Sequence, residues 1–213
     1  MKIEFIICTN DELLYSNCTH FINQLIIPKG CTIDIMKLTN QRSITSAYNN
    51  AIKASTAKYK VYLHQDTFIN NVNFISELIA IFTSDSAIGI IGMIGSKTIP
   101  PNGVWWKGET IGKVYGSPKG RMELMSFSNP AVLEEVEAVD GLLIATQYDI
   151  PWNEEFQGWH YYDLSQCAEF RKYGYKVVIP HQDEPWVTHD CGKVNVSNGY
   201  DENRKLFIST YLK

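Results

Sequence analysis

An alternation in the first half of this chain constrains its fold more than any other feature. Short apolar runs of strand length are each followed by a segment with helical spacing. The runs are residues 3–8 (IEFIIC), 32–38 (TIDIMKL), 59–63 (YKVYL) and 88–95 (IGIIGMIG). They are rich in β-branched and aromatic side chains and end at polar turns, as strands do. Leu14, Cys18, Phe21, Ile22 and Leu25 then repeat at helical intervals, with Asn10 or Asp11 placed to cap them. Ser43 precedes a second such face of Ile44, Ala47, Tyr48, Ala51 and Ile52. Phe74, Ile75, Leu78, Ile79 and Phe82 form a third after Asn71. This β-α-β-α-β-α-β order predicts an α/β fold with a mostly parallel central sheet and helices on both faces. Ligands of such sheets bind beyond the carboxyl ends of strands, where Thr9-Asn10, Asn40 and His64-Gln65-Asp66 fall.

The second half breaks the pattern. Residues 96–120 are rich in glycine and proline and carry Trp105 and Trp106, which predicts a long functional loop or lid. Residues 139–146 (VDGLLIAT) read as a buried strand, 163–173 as a helix stopped by Gly174, and 175–179 as the strand after it. Residues 202–212 carry a weak helical pattern. With no repeat or linker, 1–213 reads as one domain, whose two parts are 1–95 and 96–213.

Composition removes several classes of function. Hydrophobic residues make up 45% and charged residues 20%, which excludes a disordered chain. A net charge of −4 argues against nucleic acid as the main partner. No apolar run reaches the roughly 20 residues of a transmembrane helix. The start turns polar at Thr9, unlike a secretory signal, so the expected location is cytoplasmic. Five cysteines without a CxxC pair argue against a zinc cluster or a disulfide framework. The turn after the first strand is TNDE, and the chain lacks GxGxxG, GxxxxGK[ST], GxSxG and HExxH. A ligand must therefore be held without a glycine-rich phosphate loop, and a metal-bridged diphosphate is one way.

Candidate chemistry concentrates in a few places. In extended backbone, residues two apart project to one side, so His64 and Asp66 can face one ligand. A carboxylate there suits Mg²⁺ or Mn²⁺, and it is equally placed to cap the loop before the next helix. His189, in WVTHDCG, joins a metal site only if the chain returns to Asp66. Asp163 opens a helix and suits either its N-terminus or general-base work, and His160 suits the same proton transfer. Trp105, Trp106, Trp152 and Trp159 lie between glycines and prolines. They suit either packing of the loops or stacking on sugar rings or bases.

The stretch SITSAYNNAIKASTAKYKVYLHQDTFI resembles the nucleotide-binding half of family-2-type glycosyltransferases with the GT-A fold. The matching elements are Ala47-Tyr48-Asn49, Ala57-Lys58-Tyr59, Val61-Tyr62-Leu63 and His64-Gln65-Asp66, the last standing where that family has its DxD motif. GVWW (103–106), residues 139–180 from VDGLL onward and WVTHDCG (186–192) resemble the StrF-like subgroup, named for a streptomycin-biosynthesis protein. The resemblance implies a Rossmann-like nucleotide-diphospho-sugar transferase fold, with residues 1–95 binding the donor and 96–213 the acceptor. It implies Mn²⁺ or Mg²⁺ on Asp66, His189 and His64. Donor contacts would come from Thr9, Asn10, Asn40, Asn49, His64, Gln65 and Asp66. A glycan, lipid-linked or other hydroxyl acceptor would meet Trp105, Trp106, Asp140, Trp152 and Trp159, with Asp163 or His160 as the catalytic base. The chain departs from the family in two places. LTNQR lacks the aspartate that reads uracil, and the acidic E-D-x-D motif reads His160-Tyr161-Tyr162-Asp163.

Overall fold

A computed structural model of the chain describes residues 1–192 and 196–212. In chain order the first elements are β1 (Lys2–Thr9), α1 (Glu12–Ile22), β2 (Thr32–Thr39), α2 (Ile44–Ala54), β3 (Tyr59–His64), β4 (Thr67–Ile69) and α3 (Phe74–Ser84). There follow β5 (Ile88–Gly92), β6 (Ile94–Ser96), β7 (Thr110–Gly116), β8 (Glu123–Ser126), β9 (Leu133–Glu135) and β10 (Ala138–Val139). The chain continues with β11 (Leu143–Thr146), α4 (Tyr162–Lys172), β12 (Lys176–Pro180), β13 (Val187–His189) and α5 (Tyr200–Tyr211).

Local chemistry sets the helix ends. Asp11 caps α1, accepting from the Leu13 and Leu14 backbone N–H groups at 2.9 and 3.0 Å. Ser43 stands at the N-cap of α2, but its hydroxyl meets the Thr45 hydroxyl at 2.8 Å instead of capping. Gly174, at φ +82°, ends the turn after α4 in the left-handed conformation glycine adopts freely.

The main sheet has the order β2-β1-β3-β11-β5-β12-β9. β2, β1, β3, β5 and β12 run one way, and β11 and β9 run the other. The two-residue period of the strands divides the core. Ile3, Phe5 and Ile7 of β1 join Val61 and Leu63 against α1 and α3. Ile6, Tyr62, Ile90 and Ile144 face the opposite way, against α2 and α4. Helices therefore cover both faces. Fully buried anchors such as Phe74 and Phe170 each contribute about 1.5–3 kcal/mol by leaving water.

Three sequence expectations change. The run 88–95 is two strands that part at Met93, with β5 in the main sheet and β6 in a second sheet. The run 139–146 parts likewise at Asp140-Gly141-Leu142, and β10 and β11 cross between the sheets together with β6 and β5. Close passage requires glycine there: a Cβ on Gly95 would lie 2.0 Å from the Ala138 carbonyl oxygen. The third change concerns residues 96–120, which are only partly loop. Their second part is β7, the middle of the second sheet, ordered β10-β6-β7-β13-β4. Its alternation was hidden because Gly112 and Gly116 occupy strand positions.

Among the described residues, no helix is long and apolar enough to cross a membrane.

Candidate active site

β3 ends at His64, and the chain turns through Gln65 and Asp66 into β4. β13 pairs antiparallel with β4, setting His189 opposite Thr67, and the Asp190 N–H donates to the Asp66 carbonyl at 2.9 Å. That pairing makes the return to Asp66 that the sequence alone left open. His64 Nδ1 lies 3.3 Å from His189 Nε2 and 3.9 Å from Asp66 Oδ1, and His189 Nε2 lies 3.4 Å from Asp66 Oδ1. Ligands about 2.1 Å from a shared cation stand about 3.0 Å apart at right angles and about 3.4 Å apart at the tetrahedral angle. Asp66 Oδ1 is buried without a hydrogen-bond partner among the described residues, a cost that a coordinated cation removes. The three side chains fit a divalent metal ion.

The charges fit the same arrangement. Burial opposes ionisation of Asp66, yet the His189 and His64 imidazoles facing its carboxylate at 3.4 and 3.9 Å hold it down to about 2. Burial, with His189 beside it, lowers the His64 pKa. Burial also acts against His189, but Asp66 outweighs it and raises that histidine. One acid and one basic imidazole thus face a histidine kept neutral, the form that ligates metal.

His64, Asp66 and Trp159 line two adjoining clefts and His189 lines the larger of them, so the cluster sits at the edge where they meet. The smaller, about 470 Å³, opens over the ends of β1, β2 and β3 and is lined by Thr9, Asn10, Asn40 and Gln65. Gln65 knits its floor. Its Oε1 accepts from the Thr9 hydroxyl at 2.6 Å and from the Asn10 and Asp11 N–H groups at 3.0 Å, and its Nε2 donates to Asn10 Oδ1 at 2.8 Å. Asn40 adopts φ +57°, a left-handed turn conformation that asparagine tolerates.

The larger cleft, about 720 Å³, holds Asp140, His160 and Asp163 among apolar and aromatic side chains that include Trp105 and Trp106. Trp106 and Trp159 are about half exposed and can stack on a ligand. Asp163 accepts from the Gly141 N–H at 3.0 Å and from the Leu164 N–H at 2.9 Å. Burial and then Asp140 push its carboxyl up to about 7 despite those bonds. Burial lowers His160.

Two predicted contacts fall elsewhere. Trp152 is buried among Tyr48, Tyr62 and Tyr162 and lines neither cleft. Asn49 faces the same interior. Its Nδ2 donates to the Trp152 carbonyl at 3.0 Å and to Glu154 at 2.7 Å, and its Oδ1 accepts from the Trp152 N–H at 2.8 Å. Asn49 is thus a clamp on the loop that carries Trp152. The sequence reading also missed a partner of the cluster. The Tyr162 hydroxyl lies 2.5 Å from His64 Nε2, and a tyrosine in the first turn of a helix gives no sequence signal for that.

The fold is that of the GT-A glycosyltransferases. GalNAc-T7 with UDP, GalNAc and Mn²⁺ superposes with a TM-score of 0.67 at 10% identity, over 98% of this chain and 47% of that one. Mannosyltransferase PcManGT from Pyrobaculum calidifontis, in complex with GDP-Man and Mn²⁺, gives 0.57 at 11% identity over 98% and 62%. S. aureus TarS 1–349, in complex with UDP-GlcNAc, gives 0.65 at 13% identity over 100% and 66%. This chain spans about half to two thirds of the length of those solved chains. Comparison with curated proteins finds no match. The model of the "Glycosyltransferase like family" matches residues 4–211, nearly the whole sequence, and the chain belongs to that family.

Proposed function

We propose that this chain transfers a sugar from a nucleotide-diphospho-sugar to a hydroxyl acceptor, with a divalent cation and inversion in a single displacement. The carrying observation is the convergence of His64, Asp66 and His189 where a polar cleft meets an aromatic one. The bond from the sugar to the diphosphate breaks between the donor and acceptor sites, so that junction is where the charge of the departing nucleoside diphosphate has to be balanced. When bound, the cation neutralises that growing charge. Two imidazoles with one carboxylate suit Mn²⁺ better than Mg²⁺, which favours oxygen donors. Two of the structural neighbours hold Mn²⁺ and three hold UDP, GDP-Man or UDP-GlcNAc, which supports the same donor class.

In this reading Thr9, Asn10 and Asn40 receive the nucleoside over the ends of β1 and β2. Trp106 and Trp159 cover the sugar and the acceptor, excluding water that would hydrolyse the donor. Asp163, with its carboxyl near neutrality and its edge on the larger cleft, takes the proton from the attacking hydroxyl. His160 is the alternative base. Residues 1–95 thus serve the donor and the later residues the acceptor. The StrF-like resemblance of GVWW and WVTHDCG belongs to the same proposal.

A second reading is a protein that binds the nucleotide sugar but lacks a working base. The Tyr161 hydroxyl favours it, because it is spent on the Gly103 carbonyl and on Tyr200 and cannot serve the acidic motif. A panel of nucleotide sugars with Mn²⁺ and simple acceptors distinguishes the two. The transferase reading predicts nucleoside diphosphate release that rises with acceptor and falls in Asp163→Asn. Tight binding without turnover for any acceptor favours the second.

A further inference from the structure

We infer that Tyr162 fixes the tautomer of His64 and so decides which imidazole nitrogen is offered to the cation. The inference rests on the reading above, in which His64, Asp66 and His189 hold a divalent metal. Two hydrogen bonds in series carry it. The Tyr162 hydroxyl donates to the Gly141 carbonyl at 3.1 Å, and His64 Nε2 lies 2.5 Å from the same oxygen. A phenol has one proton. The Gly141 carbonyl can only accept, so the bond to it forms only when the phenol proton points there. The phenol oxygen then accepts from His64 Nε2, which carries the imidazole hydrogen. A neutral imidazole has only one such hydrogen, so Nδ1 keeps its lone pair. Nδ1 is the nitrogen that faces His189 Nε2 and Asp66. The opposite tautomer would aim an N–H at the point where a cation has to bind.

The phenol is held for this task. Tyr162 is 3% exposed and packs against Tyr48, Trp152 and His64. Gly141 must be glycine for the contact to form, since a Cβ there would lie 2.0 Å from the Tyr162 oxygen. The Gly141 N–H is bound by Asp163. One residue, Gly141, therefore links the carboxyl proposed as base to the histidine proposed as ligand. Tyr162 is a positioning residue, since it acts on the cation only through His64.

Nitrogen-15 NMR of the histidine rings in metal-free protein, together with Mn²⁺ titration, tests this. Wild type is expected to show His64 protonated on Nε2. Tyr162→Phe is expected to lose that single tautomer and to bind Mn²⁺ about 10- to 100-fold more weakly, the usual cost of losing the partner of a ligating histidine. Gly141→Ala, which displaces the hydroxyl without removing it, is expected to do the same. Tyr48→Phe removes a hydroxyl that has no hydrogen-bond partner among the described residues from the same aromatic cluster, and is expected to change neither readout. The inference is overturned if Tyr162→Phe keeps the Nε2–H tautomer or wild-type Mn²⁺ affinity, or if Tyr48→Phe loses as much. Wild type that binds no Mn²⁺ overturns the cation reading beneath it, and the tautomer measurement in metal-free protein still reports on Tyr162 separately.

Discussion

Replacing Asn49 with alanine separates two roles for one side chain. As a donor contact, Asn49 would matter to nucleotide affinity; as a clamp, it matters to stability. Its amide satisfies both the N–H and the carbonyl of Trp152 in a buried setting, at 2.8 and 3.0 Å. Truncation strands both groups, and a buried unpaired backbone group costs about 1–3 kcal/mol. Asn49 is 9% exposed at its edge, so water can partly repair the loss. We expect a total near 3 kcal/mol, in the lower half of the summed range of about 2–6 kcal/mol. Unfolding entropy for a chain of this length is about 0.45 kcal/mol per kelvin, so Tm should fall by about 7 °C. Guanidinium denaturation followed by tryptophan fluorescence should show a lower midpoint with the same slope. Asn49→Asp keeps an acceptor for Trp152 N–H but sets a second carboxylate beside Glu154, and at neutral pH it should be no more stable than the alanine variant. Nucleoside diphosphate affinity should stay within about twofold, under half a kcal/mol. A Tm within about 1 °C of wild type, with affinity down about tenfold, would refute the clamp and restore the donor role.

Other outcomes follow from the same geometry. Asp163 should give kcat/KM an acidic limb centred near pH 7, and Asp163→Asn should abolish that limb along with most activity. Because its folded pKa is raised, the protonated form favours the folded state. Its contribution is full below about pH 4 and lost as pH rises through about 7, by at most about 4 kcal/mol, read from urea midpoints of wild type and Asp163→Asn across that range. Asp66 has the opposite sign. With its carboxyl held at about 2, metal-free protein should lose roughly 2 kcal/mol as pH falls from about 4 to 2, and Asp66→Asn should lose much less. Trp106→Ala should raise acceptor KM with little change in Tm, whereas Trp152→Ala should cost about 3–5 kcal/mol of stability in a denaturant titration.

The parts of the fold that the sequence disclosed are those written in local patterns. β1, α1, β2, α2, β3 and α3 follow from apolar spacing and end signals, whereas the three-residue β4 was too short to leave such a pattern, and Asp11 caps α1 as its position suggested. What stayed hidden depends on distant partners. β11 enters between β3 and β5 in the antiparallel sense, and nothing within residues 143–146 records that choice. The run 88–95 is apolar throughout, so it offered no mark for the break at Met93 where two sheets diverge. In the site, His64 and Asp66 were legible because they lie two apart where β3 ends, although a turn rather than extended backbone brings them together. His189 joined them only through its pairing with β4 and through the family resemblance. Trp152 misled because proline and asparagine flank it, as in a surface loop, while Asn49 pulls that loop into the core.

The central claim is that His64, Asp66 and His189 hold the cation on which sugar transfer depends. The most direct measurement is nucleoside diphosphate release from a nucleotide-sugar panel, with Mn²⁺ and with chelator, in wild type and Asp66→Ala. The account predicts release that needs Mn²⁺, stops with chelator and falls at least about 100-fold in Asp66→Ala, the scale of losing a metal ligand. Release at the wild-type rate by Asp66→Ala, or by wild type in chelator, would contradict it.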